Sequence, residues 1–122
     1  MSMNFCWVTL PVKDLETSLA FYNGVLGLPI HSKHSANGIE MAMLGEENQP
    51  KIELINTTDN QHKTLHSHIS VGIAVDSIES AIQLLKNKQV PIVRGPVSPT
   101  PNTRFFFVRD PDGYEIQLVE MR

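Results

Sequence analysis

Glu53 stands in the run Lys51-Ile52-Glu53-Leu54-Ile55, and Gln117 stands at the same place in Glu115-Ile116-Gln117-Leu118-Val119. A carboxylate flanked by apolar residues on a strand acts as a hydrogen-bond acceptor or a general base. Strand side chains alternate between faces. Glu53 therefore shares a face with Phe5, Trp7 and Thr9 once the strands are aligned, and Gln117 shares one with His68, Ser70 and Gly72. If the two sheets curl toward each other, these residues line a cup, an apolar concavity with a few convergent polar groups of the kind that binds small molecules. Each residue also has a plainer role. Glu53 is then a hydrogen-bonded or solvated strand carboxylate, Trp7 a core or dimer-interface aromatic, and His68 a strand-edge residue. Arg104 and Arg109 flank three phenylalanines and offer either an anion contact or solvated strand ends. His31, His34, His62 and His66 fall in loops or strand ends without metal-ligand spacing, and there is no phosphate-binding glycine loop, nucleophile elbow or Cys-x-x-Cys motif.

The elements that must hold these residues come as a repeat. Val12-Lys13-Asp14-Leu15-Glu16 is echoed by Val75-Asp76-Ser77-Ile78-Glu79, Leu28-Pro29-Ile30 by Val90-Pro91-Ile92, and the Glu53 strand by the Gln117 strand, all in the same order and at nearly the same offset. Each half then reads β-α-β-β-β. In the first, Phe5 to Leu10 reads as a strand with Cys6 in the core. Asp14 caps a helix to Asn23 with the stripe Leu15, Leu19, Tyr22 and Leu26, and Asn37-Gly38 turns the chain into the strand from Ile39 to Leu44. In the second, Asp76 and Glu79 have capping-box spacing for a helix to Asn87 with the stripe Ile78, Ile82 and Leu85. The chain ends in a hairpin around Asp110-Pro111-Asp112-Gly113, where proline presets the turn and the aspartates bond nearby backbone N–H groups. Val8, Leu10, Ile52 and Leu54, like Val71, Ile73, Ile116 and Leu118, face the helices.

The 122 residues amount to one domain, with module one at 1–56, module two at 68–122 and a polar linker at 57–67. A content of 41% hydrophobic and 19% charged residues fits a globular chain without a membrane span. A net charge of −3 with no basic cluster gives no footprint for nucleic acid. No secretory signal is visible and Cys6 has no second cysteine to pair with, which points to the cytoplasm.

The segments VKDLETSLAFYNGVLGLPI, VDSIESAI and RDPDGYEIQLVE, in this order of elements, resemble the glyoxalase I / bleomycin-resistance / extradiol-dioxygenase superfamily, the vicinal oxygen chelate proteins. The resemblance implies an α+β fold of two βαβββ modules forming a curved sheet cup with helices on its outer face, and a homodimer with Trp7 as an anchor. It leaves the reaction open, because the fold hosts isomerases, dioxygenases, thiol transferases and drug-sequestering proteins. The four positions that supply His and Glu to a divalent ion in metal-dependent members fall on Trp7, Glu53, Ser70 and Gln117, and only Glu53 is of a usual ligand type. The expectation is a small-molecule-binding protein or a metal-independent enzyme with Glu53 as its base, ligand contacts from Trp7, Glu53, His68, Ser70 and Gln117, and no cofactor. The alternatives are a lyase or isomerase like glyoxalase I, or a related dioxygenase, holding one Ni, Zn, Mn or Fe ion on Glu53, His68 and Gln117, and a structural or regulatory dimer whose cup its own side chains fill.

Overall fold

The computed structural model describes residues 1–58, 60, 65 and 69–121. The strands of the first half are β1 (Trp7–Pro11), β2 (Ile30–Ala36), β3 (Ile39–Leu44) and β4 (Lys51–Asn56); those of the second are β5 (Ser70–Ala74), β6 (Arg94–Thr100), β7 (Thr103–Arg109) and β8 (Glu115–Met121). They form two four-stranded sheets of the same topology, β1-β4-β3-β2 and β5-β8-β7-β6. In each, the first strand runs parallel to the last and the other pairs are antiparallel. Parallel pairing needs a long connection, and in each half a helix followed by two strands makes it; the helices are α1 (Leu15–Leu19) and α2 (Ile78–Asn87). The chain thus has the two βαβββ modules expected of it, in two compact units, Met1–Leu65 and His66–Arg122. No helix among the described residues is long and apolar enough to cross a membrane.

Helix α1 begins where Asp14 accepts from the Glu16 amide at 3.1 Å, filling one of the bonds a helix start leaves open. It then widens into a π-helical segment, Ala20–Val25, with Leu26 N bonded to Phe21 O at 2.9 Å. Leu15, Leu19 and Tyr22 are buried from this stripe as expected. In α2 the cap is Ser77, whose hydroxyl accepts from the Ser80 amide at 3.2 Å, rather than Asp76. The capping-box pattern was displaced by one residue because serine and aspartate cap equally well. Glu120 adds a bond from outside the helix, accepting from the Ile78 amide at 2.8 Å, and Arg104 bridges Glu120 and Glu79 at 3.2 and 2.8 Å. Arg104 is thus committed to the helix side of its sheet.

The cores lie between each helix and its own sheet. Leu10, Ile52, Leu54, Ala42 and Leu44 are buried in the first unit, and Ile116, Leu118, Phe106 and Val108 in the second. Removing a side chain of this size from water contributes about 1.5–3 kcal/mol. Cys6 is a correction: β1 starts at Trp7, and Cys6 is exposed, its carbonyl accepting from Lys51 N at 2.9 Å. The terminal hairpin turns on Asp110, whose carboxylate accepts from the amides of Asp112 and Tyr114 at 2.9 and 2.8 Å, while Gly113 takes a φ of 92°, a conformation that side chains resist. Tyr114 is buried behind this turn; burial, then the nearby Asp110 and Asp112, pushes its phenol up to about 12.

Candidate functional site

On the first sheet, register places Glu53 between Thr9 of β1 and Met43 of β3. The Thr9 hydroxyl donates to Glu53 Oε1 at 2.8 Å. Trp7, one step back along the same face, is 49% exposed, and Phe5, ahead of the strand, is exposed as well. Lys51 also belongs to this side, yet it leaves Glu53 alone: its buried amine donates to the carbonyls of Glu47, at 3.0 Å, and Gln49. The face therefore offers one carboxylate, steadied by one hydroxyl, beside an open indole.

On the second sheet Gln117 occupies the corresponding place, the third residue of β8 opposite Gly72, as Glu53 is the third of β4 opposite Thr9. Its side-chain amide donates to Ser70 Oγ at 3.0 Å. The hydroxyl acceptor thus comes from the strand position equivalent to Trp7. His68 lies outside the described residues. Alternation places Phe105, Phe107 and Arg109 on this face too, as the partners of Val119, Gln117 and Glu115. Arg94 of β6 lies over the Phe107 ring and makes a two-pronged ion pair with Glu115, which raises the Arg94 pKa.

The sequence singled out Arg109 but not Arg94, Glu115 or Phe107. Period-two counting across the hairpin, with Arg109 opposite Glu115 and five residues between them, brings Phe105, Phe107, Arg109 and Glu115 together. Arg94 was not legible, because β6 pairs with β7 through two register shifts.

The four positions equated with a chelating set present an indole, a carboxylate bonded to a hydroxyl, and a hydroxyl paired with an amide. An indole N–H has no lone pair for a metal, and neutral hydroxyl and amide oxygens bind transition metals weakly. Among the described residues no group of three or more His, Cys, Asp or Glu side chains is arranged to hold a metal ion. His31 and His34 lie on β2, His31 facing Glu47 at 3.3 Å. A depression of about 370 Å³ lined by Ser35, Gly38, Glu40, Asn56, Thr57 and Thr58 lies apart from Glu53, since Glu40 and Asn56 pair on the opposite face of the same sheet.

The family model of the Glyoxalase/Bleomycin resistance protein/Dioxygenase superfamily matches residues 5–118. The lactoylglutathione lyase of Haemophilus influenzae is 32% identical over 97% of this chain and 93% of its own length. Among solved structures, the trypanothione-dependent glyoxalase I of Leishmania major superposes with a TM-score of 0.80 at 24% identity, covering 98% of this chain and 87% of that one. TnmS3, an antibiotic-binding protein from Streptomyces sp. CB03234, superposes with a TM-score of 0.75 at 18% identity, covering 99% and 98%. At these identities the two structures speak for the fold alone.

Proposed function

The chain belongs to the Glyoxalase/Bleomycin resistance protein/Dioxygenase superfamily, and from that premise we propose that it binds a small organic molecule on its open sheet faces without a divalent metal. The observation that carries this is the donor set. At the positions equated with metal ligands, Ser70 already accepts from Gln117 and Trp7 has nothing to give, so Glu53 alone is a strong ligand. Thr9 fills only part of the acceptor capacity of Glu53. Glu53 keeps capacity for a ligand N–H or O–H, or for a proton removed from a bound substrate, which makes it the base in a catalytic version of the same site. Trp7 supplies flat apolar area on the first sheet; on the second, Gln117 with Ser70 supplies neutral hydrogen bonds, and His68 is proposed as a further ligand contact there by its place in the sequence.

The H. influenzae relative favours a second reading: a metal-dependent lyase or isomerase in which Glu53, His68 and Gln117 hold the ion. A divalent ion there would polarise a substrate carbonyl. A thermal-shift screen of small organic compounds, run with and without a chelator, separates the two. Metal-independent binding raises Tm equally in both arms, because a ligand that prefers the folded state stabilises it. Loss of every shift on chelation would favour the metal site. We also propose a homodimer with Trp7 as an anchor, supported by its exposed indole. Sedimentation of wild type as a dimer and of Trp7→Ala as a monomer is expected; a wild-type monomer at micromolar concentration would contradict it.

A further inference from the structure

The open face of the second sheet carries more positive charge than its described carboxylate neutralises. Arg94 has its guanidinium carbon 3.8 Å from the Phe107 ring centroid and donates through both terminal nitrogens to Glu115 at 2.8 Å each. Arg109, at the end of β7, approaches the same Glu115 oxygen at 3.9 Å, beyond hydrogen-bond range. Two guanidinium groups therefore converge on one carboxylate, and the more distant is held only by long-range attraction among the described residues. Beneath Arg94 lies Phe107, buried at 8% exposure, with the half-buried Phe105 edge-on to it and their centroids 5.6 Å apart. The backbone sets up this stack. A Cβ on Gly95 would meet Phe105 O and Phe106 Cα at 3.0 Å, so only glycine lets β6 lie this close to β7 and carry Arg94 onto the ring.

We propose that this face selects a ligand carrying an oxyanion on an apolar aromatic body, the anion held by Arg109 beside Arg94 and the body resting against Phe105. The assignment rests on the small-molecule-binding role proposed above and deepens it by naming the ligand class. Arg109 has its fork of donors to offer, and charge-assisted bonds from arginine to an oxyanion are about twice as strong as neutral ones. Glu115 is the internal competitor for the same two cations. Removing it therefore strengthens anion binding, an effect opposite in sign to that of a general loss of structure.

The test uses two dyes on the full chain, 8-anilinonaphthalene-1-sulfonate and N-phenyl-1-naphthylamine, which share a ring system and differ in the sulfonate. Fluorescence titrations give both affinities, with circular dichroism checking that each variant is folded. In Arg109→Gln the sulfonate dye is expected to bind about tenfold more weakly while the neutral dye changes by less than about twofold. In Glu115→Gln the sulfonate dye is expected to bind severalfold more tightly, with the neutral dye again unchanged. Unchanged sulfonate binding in Arg109→Gln, equal weakening of both dyes, or weaker sulfonate binding in a folded Glu115→Gln would each overturn the assignment. Equal wild-type affinities that neither variant alters would remove the anion preference but leave small-molecule binding standing. Absence of binding by both dyes to wild type would count against both.

Discussion

The two sheets share a topology and differ in what their open faces offer. On the first, the central position holds Glu53, accepting from Thr9 beside an exposed Trp7. On the second, the same position holds Gln117, donating to Ser70, with two arginines and two phenylalanines alongside. The repeat determines where side chains sit; their types divide the chemistry, an acceptor in one module and donors with positive charge in the other. On the helix-facing sides the modules differ less, because both must bury apolar side chains against a helix.

That likeness gives the largest expected effects. Leu54 and Leu118 sit at equivalent buried places, and truncation of either to alanine is expected to cost about 2–5 kcal/mol in urea unfolding. A loss below about 1 kcal/mol for one of them would mean that the modules are not packed alike. The helix starts are less alike. Glu120→Ala leaves the Ile78 amide without its buried acceptor and is expected to cost about 1–3 kcal/mol. Asp14→Ala removes a single exposed cap from α1, at about 0.5–2 kcal/mol. The reverse ranking would remove Glu120 as the anchor of α2.

Smaller still is a pH effect confined to module two. The bond from Arg104, its largest cause, lowers the Glu79 pKa from the ordinary 4.5. A carboxylate with a lowered folded-state pKa contributes stability that is fully present above its unfolded value and lost as pH falls through the folded one. Wild type should therefore lose slightly more stability than Glu79→Gln between pH 4.5 and the acid range below it. Parallel denaturation curves for the two proteins across that window would contradict the pairing.

The module plan was legible because it rests on period-two and helical stripes repeated in one order, and on turns with their own chemistry such as Asp110 to Gly113. Glu53 and Gln117 were placed at equivalent positions for the same reason. Cys6 was not, since a strand-like run does not announce at which residue pairing begins, and here it begins at Trp7. Ser77 was passed over because Asp76 beside it is an equally good cap by type. The Arg94 stack on Phe107 escaped because it depends on register shifts in β6 and on a close backbone approach at Gly95, neither of which leaves a periodic trace.

The acceptor-and-donor division of the two faces meets its most direct test in the metal content of the protein, purified without chelator and measured by plasma mass spectrometry. The expected result is far below one equivalent of Ni, Zn, Mn or Fe, with no change in Glu53→Gln, because one strong ligand does not hold a transition metal tightly. Near one equivalent of any of these in wild type, lost in both Glu53→Gln and His68→Ala, would contradict it and make Glu53 and His68 metal ligands.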